Sequence, residues 1–181
     1  MIEYKIVILG SMGAGKSTLV RTVAQGQVVD TDVHNTDASS DKLATTVAMD
    51  YADVALPNGD RMRLFGSPGQ ERFSFIWPIL LEGAAGAVVL LNADSEDPVA
   101  ELDRYLDVLN QHAADVPVTI GLTKVDRAGH SILQRLTAHV AARGQLVPLV
   151  PVDARQGDQI LMLMDILMTQ IETAELVALH G

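Results

Sequence analysis

Short apolar runs alternate with longer stretches of helical period along most of the chain. Residues 4–9 (YKIVIL), 87–91 (AVVLL), 118–122 (VTIGL) and 146–152 (LVPLVPV) are brief and rich in Val, Ile and Leu. Near-continuous apolar runs of that length suit parallel strands covered on both faces. Residues 47–56 and 61–65 alternate apolar with polar instead, and Pro57-Asn58-Gly59-Asp60 lies between them. Asn-Gly between two strand-like runs is the strongest short-range hairpin signal. Helical spacing predicts helices over about 15–24, 71–81, 98–112, 131–143 and 158–179, the third opened by Asp97-Pro98 as an N-cap and first-turn proline. The pattern predicts a doubly wound α/β fold: a six-stranded mixed sheet with one antiparallel hairpin strand and about five helices.

Length and charge narrow the picture. A chain of 181 residues corresponds to one domain, 1–181, at about 150 residues per domain. Thirteen basic against 23 acidic residues leave a formal charge of −10, which repels phosphate backbones and anionic lipid. Nucleic acid and membrane surfaces are therefore excluded as expected partners, while a local basic pocket for one phosphate ligand is not. The chain has no cysteine, so no disulfide, thiolate catalysis, Cys-based zinc site or prenyl or palmitoyl anchor is expected within it. The N-terminus carries no myristoylation glycine or signal run, and the longest strongly apolar stretch, about 83–91, falls far short of a membrane span. The expectation is a cytoplasmic protein with no direct membrane anchor. The one long polar loop, 30–41, reads on composition alone as a solvated acidic loop.

Chemistry concentrates first at Gly10-Ser11-Met12-Gly13-Ala14-Gly15-Lys16-Ser17, followed by Thr18. This fits G-x-x-x-x-G-K-[ST] directly after a strand and before a helix, the context a phosphate-binding loop requires. Its backbone N–H groups converge on phosphates and the helix N-terminus adds positive potential. Lys16 is placed to reach the β- and γ-phosphates, and the Ser17 hydroxyl to ligate magnesium. The fold expected from this motif is that of a P-loop NTPase.

Thr123-Lys124-Val125-Asp126 follows the 118–122 strand and resembles the [NT]-K-x-D guanine box of GTPases. Asp126 would accept hydrogen bonds from guanine N1–H and the 2-amino group, which adenine does not offer, and Lys124 would lay its stem along the base. The alternative is a solvated turn. Asp153-Ala154-Arg155, after the last strand, resembles the S-A-K loop of small GTPases, with a backbone N–H of Ala154 for guanine O6. Asp153 and Arg155 read equally as a surface pair. Residues 65–73 (FGSPGQERF) look like the switch II sequence D-T-A-G-Q-E-R-F, which makes Gly69 the γ-phosphate amide and Gln70 the water-positioning residue. Residues 45–51 (TTVAMDY) resemble switch I, with Thr46 as the magnesium and γ-phosphate threonine, or merely as the start of a strand.

Taken in order, these motifs resemble a Ras-like small GTPase over essentially the whole chain. The F-G-S-P-G-Q form is similar to bacterial relatives of the gliding-motility GTPase MglA and to GTPases of bacterial signalling conservons. The resemblance implies a GTP/GDP switch with magnesium, loops near 30–51 and 66–77 that reorder with nucleotide, Lys16 and Gln70 as catalytic residues, and Ser17 and Thr46 as metal ligands. It also implies a roadblock-type regulatory partner or another activator.

Two departures stand out. Gly66 occupies the place of the usual magnesium-holding aspartate, and Asp50 on the adjacent strand either substitutes through water or is an ordinary strand residue. Asp94 is a weaker substitute. Met12 stands where many Ras-like proteins have glycine and would crowd the water-positioning glutamine. Both changes point to slow intrinsic hydrolysis and an arginine supplied in trans, with Arg72 a mobile switch residue. The alternative is a pseudo-GTPase scaffold that binds GTP or GDP without useful turnover; an ATP-dependent small-molecule kinase is a distant third. Phe73, Phe75 and Trp77 crowd switch II, and Trp77 is expected to lean toward an exposed partner patch. The last helix, apolar on nearly every side over 160–168, packs on the sheet or serves a second chain. The histidines (His34, His112, His130, His139 and His180) show no metal spacing.

Overall fold

The computed structural model describes residues 1–25, 49–129 and 131–181. Its six strands run β1 (Glu3–Leu9), β2 (Asp50–Ala55), β3 (Arg61–Gly66), β4 (Gly86–Asn92), β5 (Val118–Thr123) and β6 (Leu149–Pro151). They form one sheet in the order β2-β3-β1-β4-β5-β6, in which only β2 runs antiparallel to its neighbour. Helices α1 (Lys16–Gln25) and α6 (Gly157–His180) belong to one face; α2 (Trp77–Leu81), α3 (Pro98–His112) and α5 (Ser131–Ala142) belong to the other. Helix α4 (Val125–Ala128) is a single turn after β5.

Both faces are apolar because both are covered. Along β1, Ile6 and Ile8 enter the core under α1 and α6, while Val7 and Leu9 enter the core under α2, α3 and α5, and all four are fully buried. That is the physical reason the parallel strands read as continuous apolar runs. The hairpin strands β2 and β3 alternate, as an edge pair should. Helix α6 buries Ile160, Leu163, Met164, Leu167 and Ile171 on the sheet, a stripe at helical spacing. Leu161 and Met162 stay exposed on its outer side, as does the helix beyond Ile171.

Three local expectations change. The segment 71–81 does not form one helix: Glu71–Ile76 is a 3₁₀ turn and α2 begins at Trp77. Pro78 explains the break, since it has no N–H to bond back and is tolerated only in the first turn of a helix. The last strand is shorter than 146–152, and Leu146 is fully exposed. Pro148 cannot donate to the ladder, although its carbonyl accepts from Ile120 N–H at 2.8 Å. The described part of the hairpin strand begins at Asp50, and residues 47 and 48 lie outside the described residues.

Candidate functional site

Strand β1 lies at the centre of the sheet with β3 on one side and β4 on the other; the chain leaves β1 for α1 on one face and β4 for α3 on the other. Open α/β sheets bind ligands at the carboxyl ends of their strands, at such a switch point. Here that edge carries a cleft of about 810 Å³, within the range of small-molecule and cofactor pockets.

The loop between β1 and α1 forms its floor. Gly10 is obligatory on steric grounds, because a Cβ there would stand 2.4 Å from the Leu90 carbonyl of β4. Lys16 opens α1 and folds back, its Nζ donating to the carbonyls of Gly10 at 2.6 Å and Ser11 at 2.8 Å. Burial pulls its pKa from 10.5 down to about 8, while the charges of Asp50 and Glu101 act in the opposite direction. Ser17 Oγ donates to Asp50 Oδ2 at 2.5 Å, which ties the start of α1 to the first residue of β2. Ser67 also lines this end, and its buried Oγ has no hydrogen-bond partner among the described residues.

The other end is built from β5 and the loop after β6. Thr123 is buried, and its Oγ1 donates to the Ala14 carbonyl at 3.0 Å, with the Leu91 carbonyl at 3.2 Å. Lys124 adopts a left-handed backbone (φ 59, ψ 31) and donates from Nζ to the Gly13 carbonyl at 2.9 Å. Among the described residues it is the one non-glycine with positive φ, a conformation that costs about 1–3 kcal/mol and persists only where its surroundings enforce it. That turn places Asp126 exposed in the first turn of α4, lining the cleft. Ala154 is buried against Gly15, and its carbonyl accepts from Thr22 Oγ1 at 2.9 Å. Arg155 forks Asp153, Nε to Oδ1 at 2.9 Å and Nη2 to Oδ2 at 2.7 Å. This pairing holds the Asp153 carboxyl down at about 2. The surface-pair reading of these two side chains is thus realised, at the rim of the cleft.

The cleft gathers Met12, Gly13, Ala14, Gly15, Lys16, Ser17 and Thr18 with Gly69, Thr123, Lys124, Asp126, Asp153, Ala154 and Arg155. Three expected site residues are not among those lining it. Gly10 lies behind the loop, and Ser11 turns its Oγ away to Glu101 of α3 at 2.8 Å. Gln70 stands beside the cleft at the head of the 3₁₀ turn, where its carbonyl accepts from Phe73 N–H at 3.0 Å. Thr46 lies outside the described residues.

Switch II packs hard against the loop. A Cβ on Gly69 would come within 2.7 Å of Met12 N and 2.9 Å of Lys16 Nζ, so only glycine crosses there. Met12 is exposed at the mouth of the cleft. The expectation for Trp77 is overturned: it is buried, packs at a tilt against Tyr105 with centroids 5.0 Å apart, and anchors α2. Phe75 and Ile79 are the exposed apolar residues here, and Arg72 lies over the Phe73 ring. Asp94 is exposed away from the cleft. His139 pairs with Asp103 at 2.7 Å, between α5 and α3.

Sequence reasoning missed Gln159, Ser67 and Glu101. Gln159 lines the base end and accepts from Asp153 N–H through Oε1 at 2.8 Å. Its signal was faint: a polar residue in the first turn of a mostly apolar helix.

A glycine-rich loop at the carboxyl edge of a doubly wound sheet, with a buried lysine at one end and an αL-positioned carboxylate at the other, defines a P-loop α/β domain. The chain belongs to the Ras family of small GTPases, whose family model matches residues 5–173. It is similar to Ras-related protein RHN1 of Nicotiana plumbaginifolia, 30% identical over 110 residues, covering 61% of this chain and 51% of that protein. It is 27% identical over 134 residues to Ras-related protein Rab-18 of Lymnaea stagnalis, covering 71% and 60%. An uncharacterised protein of Methanocaldococcus jannaschii is 29% identical over 126 residues, covering 68% of this chain and 71% of that one. The chain thus spans between about half and three fifths of the length of its Ras-related relatives. Among solved structures, translation elongation factor SelB of Methanococcus maripaludis, in complex with the GTP analogue GppNHp, shares the fold. Its TM-score is 0.70 at 17% identity, over 95% of this chain and 35% of that one. Among the described residues no helix is long and apolar enough to cross a membrane.

Proposed function

We propose that residues 1–181 act as a single cytoplasmic G domain, a guanine-nucleotide switch that binds Mg-GTP and hydrolyses it slowly to GDP. The observation that carries this reading is the single cleft that joins Lys16 and Ser17 at one end to Asp126 at the other. The loop amides and Lys16 hold the β- and γ-phosphates, and Asp126 accepts from the edge of guanine. Ala154 offers its N–H to guanine O6.

The donor set at the phosphate end also suits magnesium. It consists of hydroxyl and carboxylate oxygens, the hard ligands this ion prefers, and Ser67 Oγ has hydrogen-bonding capacity left over. Magnesium, when bound, supplies charge neutralisation on the phosphates, and Ser17 and Thr46 are the residues that would hold it. Gln70 orients the attacking water once switch II brings it inward.

Slow turnover follows from Met12 at the mouth and Gln70 beside the cleft. An activating partner, roadblock-type or another protein, is expected at the switch loops, where Phe75 and Ile79 lie exposed. The resemblance of the F-G-S-P-G-Q segment to MglA and conservon-type GTPases supports placing the chain near that bacterial branch. The position of Gln70 also keeps a second reading in play, a scaffold that binds nucleotide without turnover. Competition for a fluorescent GDP analogue tests the main reading: GDP and GTP should displace it at concentrations at least about a hundredfold below ATP. Equal competition by ATP would contradict guanine selection by Asp126.

A further inference from the structure

We infer that Asp50 is the carboxylate that positions a divalent cation at the phosphate end of the cleft, taking over from strand β2 the place left empty by Gly66 on β3. The inference rests on the nucleotide reading of the cleft and deepens it. Asp50 and Gly66 are direct partners in the antiparallel β2–β3 register. A Cβ built on Gly66 would meet Asp50 Cβ at 3.1 Å and Oδ2 at 3.4 Å. The Asp50 side chain therefore already occupies the space a side chain at 66 would enter. A carboxylate on one strand and glycine on the other are complementary choices for one volume.

The carboxylate is also aimed correctly. Its Oδ2 accepts the Ser17 hydroxyl proton, which leaves the Ser17 lone pairs to face a cation. It lines the cleft with Lys16, Ser17 and Ser67, whereas Asp126 and Asp153, the other lining carboxylates, belong to the base end. Asp50 is near enough to Lys16 for its charge to oppose the effect of burial there. No group of three or more His, Asp and Glu gathers among the described residues, and magnesium sites that share phosphate oxygens use only one or two carboxylates. Asp50 thus acts as a positioning residue, through the Ser17 hydroxyl and cation-bound water.

The test is the Mg²⁺ concentration at which the protein retains a fluorescent GDP analogue against release. Asp50→Asn should raise that midpoint about tenfold to a hundredfold, the usual cost of losing a group that orients a metal ligand. Mn²⁺ affinity of the GDP-bound protein, read by electron paramagnetic resonance, should weaken by the same factor. Moving the carboxylate across the ladder, Asp50→Gly with Gly66→Asp, should restore the midpoint to within a few-fold of wild type, while Asp50→Gly alone should not. Equal midpoints for wild type and Asp50→Asn, or a double variant no better than Asp50→Gly, would overturn the assignment. Wild-type protein that never binds the GDP analogue would overturn the guanine reading itself, and that result precedes any variant.

Discussion

Lys16 carries the most direct pH signature in the cleft. Burial brings it down to about 8, and phosphate groups set beside its ammonium raise it again. Binding therefore takes up a proton at pH values above the lowered pKa, and affinity falls as pH climbs through that window. Isothermal titration with GDP near pH 9, in buffers of different ionisation enthalpy, should show on the order of one proton taken up, and close to none at neutral pH. Lys16→Met should abolish the uptake; an unchanged buffer dependence would assign the proton to another group. At the base end, Asp126→Ala should cost about tenfold to a hundredfold in GDP affinity while leaving ATP affinity nearly unchanged, the loss expected for hydrogen bonds to a charged group. A parallel loss for both nucleotides would mean that Asp126 only shapes the turn. These residues were legible because their chemistry lies in short motifs. The turning of Ser11 toward Glu101 was not, since the two are 90 residues apart.

At the scale of elements, switch II is a buried anchor joined to an exposed tip. Trp77 lies under α3 against Tyr105, whereas Phe75 and Ile79 face outward. Trp77→Ala should destabilise the fold by about 3–5 kcal/mol in urea unfolding. Phe75→Ala should stay within about 0.5 kcal/mol, as surface changes usually do, and weaken only partner binding. Equal losses would contradict this division. The division was hard to read because aromatic residues at 73, 75 and 77 lack a clean helical period. Pro78 then breaks the segment into a 3₁₀ turn and a short helix, which shifts the facing of every residue before it. Strands β1, β4 and β5 match their apolar runs almost to the residue, because burial on both faces leaves an unmistakable pattern. The edge strand β6 was over-extended, because exposed Leu146 looks the same in sequence as a buried leucine.

For the whole molecule, topology does the organising. The order β2-β3-β1-β4-β5-β6 brings the loops after β1, β3, β5 and β6, distant in sequence, to one sheet edge, and α1 and α6 buttress it from one face. The alternation of run lengths and one Asn-Gly turn made a mixed, doubly wound sheet visible, though not this strand order. Side-chain hydrogen bonds across the cleft, such as Lys124 to Gly13 and Thr123 to Ala14, were not, because they join elements more than 100 residues apart. A chain held together through its ligand site should gain stability from it. GDP with magnesium at about a hundred times its dissociation constant should add about 2.7 kcal/mol, measured as a rise in melting temperature, and ATP should add far less. The central claim meets its most direct test in single-turnover hydrolysis by purified protein with magnesium, using GTP and ATP in parallel and identifying the bound nucleotide. Tight guanine binding with slow GTP cleavage, accelerated by an activating partner, is the expected result. Preferential binding and cleavage of ATP would contradict it.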